Sequence, residues 1–372
     1  MANIYHISSL NELDSYLSNQ KTNECNLIGY FWHEYGWLPV FMNEMFSEFF
    51  QKVTGKCIGL CFQGHELFYE DKVDDLVVLD GFIDTTKAYS NNRESDLLRK
   101  NFSLNKDKGI AFWYTVKNFD EDTFDSVISK YDFKNTLHSI GKTTTWDYGL
   151  YPNASKPYVY ASGEMGDFMI PTDCRYGSKV KGKYQWQWQE DKIPNKSFDR
   201  YVDGEYDAIF VKNTWKTRSS NKGDSNNYFV GDGKQGNPGY GYLNHQLFIN
   251  ICNKYIEKKR KLVIIHDLVK YDHPESEYLI DLDMVGFLDV KKYISYISHA
   301  NIFFSAATGQ ADMALYYCPD KYYVLLDDMQ GKLPYYNNIS KKYNKETISV
   351  KCKNYSGNEW DKLNNFIDKV LN

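Results

Sequence analysis

The chain has 372 residues, 42% of them hydrophobic and 25% charged, with a formal net charge of −5. This composition excludes a disordered or collagen-like chain, and the length allows two domains with ample cores. The negative balance excludes a global field that favours nucleic acid, though a local basic groove is compatible with it.

The N-terminal MANIYHISSL lacks the basic segment and apolar stretch of a signal peptide, and no apolar run has the length of a membrane span. Seven cysteines form no Cys-x-x-Cys pair and no zinc spacing. Cys57, Cys61, Cys252 and Cys318 fall in predicted strands or on helix faces, where a free thiol behaves as a small hydrophobe. The expected setting is a reducing cytoplasm, bacterial or viral. Tyrosine is abundant at 32 copies. Its flat face and polar handle suit stacking on sugars and bases, and low-GC codon usage is the plainer explanation.

In chain order, Asn26–Trp32 reads as a buried strand, followed by a turn through His33, Glu34 and Pro39. Val40–Val53 is predicted helical because Phe41, Met45, Phe46, Phe49 and Val53 share one stripe. Lys56–Phe62 and Asp75–Leu79 are the next strands, so the chain opens with a βαβ unit. Gly109–Val116 and Pro157–Ala161 are further strand candidates, the latter leading into Glu164. The alternation of Tyr184, Trp186 and Trp188 within Lys179–Lys192 predicts a hairpin or edge strand. Tyr206–Trp215 reads as one strand. The polar, turn-rich stretch Lys216–Asn227 is the best linker.

After it the pattern restarts. A strand at Tyr228–Val230, a Gly-rich loop at Gly231–Gly241, a helix at Tyr242–Glu257 and a strand at Lys261–His266 follow one another. The run Tyr278–Asp328 then reads strand (MVGFL), helix (DVKKYISYISHA), strand (NIFFSAA), Gly-containing turn, helix (ADMALYY), strand (KYYVLLDD). Alternation of this kind predicts a parallel sheet with ligands at the C-terminal ends of its strands. The turn Thr308-Gly309-Gln310 opens a helix, where phosphate is favoured. An apolar stripe of Trp360, Leu363, Phe366, Ile367 and Val370 predicts a last helix over Asn358–Leu371.

The order of elements over Tyr228–Asp328 resembles the donor domain of the GT-B fold of nucleotide-sugar glycosyltransferases. The resemblance implies an α/β architecture of two Rossmann-like domains facing a cleft. Residues 1–220 would form the acceptor domain and 221–372 the donor domain, with the C-terminal helix crossing back. It implies that Thr308, Gly309 and Gln310 offer backbone N–H groups to the donor diphosphate. It sets Asp312 against the ribose hydroxyls, where the family has Glu, and the backbone of Phe287 and Leu288 against the nucleobase. Gly231, Gly233 and Lys234 would face the sugar or phosphate. The Lys-Gly pair that often follows this loop in the family is replaced by Asn237-Pro238-Gly239. Lys212, Lys216 and Arg218 are therefore the substitute cations, and His266 a further donor contact.

Glycosyl transfer needs stabilisation of a leaving diphosphate and removal of a proton from the acceptor hydroxyl. A helix terminus and cations serve the first need, so neither metal nor cofactor is expected beyond the nucleotide-sugar co-substrate. For the second, His33, Glu34 and Glu164 are the candidate bases. His65, Glu66 and Asp147 are further acid–base groups in the same half, and loop or capping roles account for each. The Asp281-Leu282-Asp283 pattern matches a metal motif of another glycosyltransferase fold, and carboxylates at a strand edge explain it as well. The loose G-x-G-x-x-G at Gly231–Gly236 runs on through Pro238 before its helix, which argues against a dinucleotide site. The acceptor that the resemblance implies is a glycan, a lipid-linked sugar or a hydroxymethylated DNA base. For DNA, Lys179–Lys183 with Trp186 and Trp188 supplies charge and stacking. A sugar-nucleotide epimerase or hydrolase, and a non-catalytic nucleotide- or glycan-binding protein, stay open as alternatives.

Overall fold

In the first sheet, β1 (Asn3–Ile7), β4 (Asp75–Leu79), β3 (Lys56–Phe62), β2 (Cys25–Tyr30) and β7 (Asn135–Ile140) run parallel in that spatial order. The structure is a computed structural model. It describes residues 2–30, 54–63, 66–80, 83–84, 115–116, 126–140, 158–163, 169–171, 197–211, 214–217, 227–230, 243–266, 272–282, 290–306, 309–326, 333–352 and 356–372. These fall into two units, one holding the described residues up to 171 and the other those from 197 on.

In the first unit all five residues of β4 are buried. That is expected of a strand inside a parallel sheet, covered on both faces. Leu13 and Leu17 of α1 (Leu10–Ser18) are fully buried, as are Ile28, Ile58, Leu76 and Val78. Asn135 Nδ2 donates to Asn26 Oδ1 at 2.8 Å within the core, which ties β7 to β2 in register. The sheet is completed by two antiparallel strands, β8 (Tyr158–Gly163) and β9 (Met169–Pro171). Two short strands, β5 (Ile83–Asp84) and β6 (Thr115–Val116), pair separately.

Gly55, ahead of β3, has φ +104°, and a Cβ there would lie 2.5 Å from the Glu24 carbonyl oxygen. Gly55→Ala is expected to cost about 1–3 kcal/mol through backbone strain and this collision. Urea unfolding of the two proteins measures it, and a change within error contradicts the strain.

The second unit is a six-stranded, fully parallel sheet in the order β14 (Leu279–Leu282), β13 (Lys261–His266), β10 (Tyr206–Val211), β15 (Ala300–Ala306), β16 (Tyr322–Leu326), β17 (Thr347–Val350). Numbered along the chain within this sheet, that is 3-2-1-4-5-6, a Rossmann-like doubly wound order. Helices cover both faces. α2 (His245–Lys258) and α6 (Gly357–Leu371) contribute Leu247, Ile251, Leu363 and Ile367 to one core with Ile209, Ile264, Phe304 and Val324. On the other face, Tyr293 of α3 (Val290–Ser298) meets Phe210, and Tyr336 of α5 (Leu333–Lys342) meets Tyr323. Between β15 and β16 the chain forms α4 (Gly309–Tyr317).

Two expectations change, the extent of one strand and the place of the polar stretch. The strand expected over Tyr206–Trp215 is two strands, β10 and then β11 (Thr214–Thr217), and β11 pairs antiparallel with β12 (Asn227–Val230), Thr217 opposite Asn227. The polar stretch Lys216–Asn227 thus runs between two paired strands of the second unit, and β10 lies at the centre of the second sheet although it precedes residue 220. Polar composition reports exposure to water, which a hairpin connection and an interdomain linker share. A strand ahead of α3 runs over Leu279–Leu282; Met284–Leu288, where the sequence expects one, lies outside the described residues, as do Val40–Val53 and Lys179–Lys192. The last helix, α6, buries Leu363, Phe366 and Ile367 in the second unit's own core.

The cysteines behave as the sequence predicts. Cys57, Cys61, Cys252 and Cys318 are buried and unpaired by disulfides. Burial pushes the Cys57 thiol up to about 11 and Cys252 to about 12, so neither offers a thiolate at neutral pH. Among the described residues no helix is long and apolar enough to cross a membrane.

Candidate functional site

In a parallel sheet, ligands bind outside the C-terminal ends of the strands, where successive connections leave in opposite directions. In the second unit that switch point lies between β10 and β15. β10 ends at Val211 and β15 at Ala306, and α4 opens at Gly309. Backbone N–H groups at the start of this nine-residue helix carry the positive end of its dipole.

Gly309 and Gln310 form the first turn of α4, as the sequence expects. Asp312 follows in the same turn but is only 7% exposed. The Tyr336 hydroxyl donates to its Oδ1 at 2.9 Å, so this carboxylate links α4 to α5. Burial, with Asp312 beside it, pushes the Tyr336 phenol far above its ordinary range, and the hydroxyl stays a donor. Lys216 stands on β11, in register with Tyr228. Lys212, Arg218, Gly231, Lys234, Phe287, Leu288 and Thr308 lie outside the described residues.

His266 is the last residue of β13 and is completely buried. It pairs in register with Val211, the last residue of β10, and so sits at the ligand edge one strand from the switch point. Its Nε2 is 2.8 Å from Asp281 Oδ1 on β14. The second oxygen of Asp281 is 3.6 Å from His273 Nε2. The two imidazole planes are 13° apart, and the buried Phe248 of α2 meets both rings edge-on. The sequence reading takes His266 as a donor contact and assigns no metal ligand. It leaves out His273 entirely. The available signal was a pair of histidines around a short polar connection, with a carboxylate on the following strand.

The first unit has a comparable switch point between β2 and β7. β2 ends at Tyr30, and His33 and Glu34 follow outside the described residues. Glu164 also lies outside them, and the strand ahead of it changes the argument. β8 runs antiparallel to β7 and ends at Gly163 opposite Asn135, the first residue of β7. It therefore ends at the N-terminal edge of the parallel strands, and the strand-end argument that favours His33 and Glu34 does not extend to Glu164. Glu66 opens a short helical turn after β3.

Comparison of the sequence with protein-family models and with curated proteins gives no match.

Proposed function

We propose that the protein is a glycosyltransferase of the GT-B kind that takes a nucleotide-sugar donor on its second unit. The observation that carries this reading is the 3-2-1-4-5-6 order of the second sheet, with α4 opening at its switch point. Such a sheet leaves its ligand crevice at the diverging connections, and a helix N-terminus there favours a diphosphate. In this reading the N–H groups of Gly309 and Gln310 hold the donor phosphates as charge develops on the leaving group. Lys212, Lys216 and Arg218 are the cations, Gly231 and Lys234 face the sugar or phosphate, and Phe287 and Leu288 face the base. The buried Asp312, tied to Tyr336, acts by positioning α4. The acceptor hydroxyl belongs to a glycan, a lipid-linked sugar or a modified DNA base, and His33 or Glu34 takes its proton.

The test is a thermal-unfolding screen with UDP, GDP, CMP, ADP and TDP on the wild type and on Gln310→Glu. A carboxylate in the first turn of a helix favours the helix but repels a diphosphate. One nucleotide is expected to stabilise the wild type by roughly 2.7 kcal/mol at 100 times its dissociation constant. Gln310→Glu is expected to lose that gain without a lower midpoint of its own. Folded wild type that responds to none of the five refutes the donor site. Binding without turnover of the matching nucleotide-sugar, whatever acceptor is supplied, leaves a binding protein. Turnover to an isomer or to free sugar identifies an epimerase or hydrolase.

A further inference from the structure

We propose that His266, His273 and Asp281 form a site for a divalent transition-metal cation of the zinc class. One ligand atom from each of the three lies within 4.8 Å of the other two. Tetrahedral ligands at metal distances of 2.0–2.1 Å stand about 3.3 Å apart, so the trio needs only small side-chain rotations to close on an ion. Two imidazoles and a carboxylate are the donor set that suits such a cation.

Two observations separate this trio from an ordinary His–Asp pair. The first is His266. It is fully buried, yet among the described residues neither of its ring nitrogens makes a hydrogen bond. Its Nε2 approaches Asp281 Oδ1 at 2.8 Å without the alignment a hydrogen bond requires. A buried polar atom without a partner costs stability, and coordination removes that cost for one of the two nitrogens.

The second is the tautomer of His273. Its Nδ1 lies 2.9 Å from the Pro274 carbonyl oxygen, which can only accept, so Nδ1 carries the proton. In the neutral ring that leaves the Nε2 lone pair facing Asp281 Oδ2 at 3.6 Å. Two acceptors point at one another, and a cation between them relieves the repulsion. Metal-binding histidines characteristically donate the other ring N–H to a carbonyl or carboxylate, which fixes ring and tautomer. Phe248 supplies the apolar wall behind both rings.

Asp281 has 28% of its side chain exposed, so the trio opens to solvent on one side. Three protein ligands with an open fourth position describe a site that can take a water or a ligand oxygen. The site stands on the ligand edge of the second sheet but does not depend on the nucleotide reading, and its test uses no nucleotide.

Chelator-treated protein is titrated with Zn²⁺ by calorimetry and with Co²⁺ followed by visible absorption. The wild type is expected to take up one Zn²⁺ tightly and to give the visible bands of a Co²⁺ centre with nitrogen ligands. His273→Gln and Asp281→Asn are expected to weaken this binding about 100-fold, the upper end of what outer-shell partners alone contribute. Circular dichroism checks that both variants are folded. The chain has eight histidines, so uptake is read as the difference from the variants. Equal uptake by wild type and both variants overturns the proposal and leaves a His–Asp ion pair. So does folded wild type that takes up no Zn²⁺. If neither variant folds, the wild type decides. Zn²⁺ at 100 times its dissociation constant should raise the unfolding midpoint by roughly 5–10 °C. No rise and no Co²⁺ bands refute the site.

Discussion

Asp207→Ala is expected to lower the stability of the second unit by about 3–5 kcal/mol. Asp207 lies on β10 and is completely buried. The Tyr255 hydroxyl donates to its Oδ2 at 2.8 Å, and the Ile302 backbone N–H donates to its Oδ1 at 2.7 Å. The carboxylate therefore joins α2 to β15 across the central strand. Alanine leaves the Tyr255 hydroxyl and the Ile302 N–H unpaired inside the core, where each lost partner costs about 1–3 kcal/mol. Asp207→Asn keeps an oxygen for Ile302, and the Tyr255 hydroxyl can turn to accept from the amide, so a smaller loss is expected. Urea unfolding gives the total, and hydrogen exchange at β10 and β15 assigns it to this unit. A loss below 1 kcal/mol for the alanine variant contradicts the argument.

The same residue sets a pH dependence. Burial pushes the Asp207 carboxyl up to about 6, against the pull of Tyr255 and Ile302, which favour its charged form. Between pH 4 and pH 6 the folded state holds a proton that the unfolded chain has released. The contribution of Asp207 to the stability of the second unit is therefore greatest below pH 4 and falls by roughly 3 kcal/mol as pH rises through 6. Asp207→Asn is expected to remove that slope.

Asp75→Ala is the second large effect, with an expected loss of about 2–4 kcal/mol in the first unit. Asp75 opens β4 and is 1% exposed. Its carboxylate accepts from Asn3 Nδ2 at 3.0 Å and from the Tyr16 hydroxyl at 2.7 Å, and Lys56 Nζ lies 2.5 Å away. One side chain so gathers β1, α1 and β3. Burial pushes this carboxyl up, but Lys56, Asn3 and Tyr16 together outweigh it and hold it below its usual range. The sign is opposite to that of Asp207. Stability from Asp75 is present above the unfolded carboxyl value, near pH 4, and is lost as pH falls through the lower folded value. Unfolding of each unit from pH 7 to pH 3, taken as the difference between the wild type and its Asp75→Asn or Asp207→Asn variant, should show the Asp75 contribution weakening where the Asp207 contribution gains. Parallel changes in both units refute one of the two assignments.

These two residues contrast what a sequence contains with what it does not. The apolar runs KCIGLCF, DLVVL and KLVIIH are the strands Lys56–Phe62, Asp75–Leu79 and Lys261–His266 to the residue. The stripe ending the chain is the helix Gly357–Leu371. Each such element is set by the spacing of apolar side chains within a window of a few residues, so the sequence alone determines it. The βα alternation after residue 260 likewise determines a parallel sheet.

The sequence alone does not say which strands become neighbours. β10 precedes the polar stretch yet lies at the centre of the second sheet, and β8 is antiparallel, so its end leaves from the far edge. His266, His273 and Asp281 are separated by other residues and meet only because β13 and β14 pair in register. Neighbouring strands are chosen by apolar faces buried and backbone bonds completed between distant segments. That energy belongs to pairs of segments, so the tertiary structure alone decides which carboxylates become buried hubs and which histidines come within reach of one another.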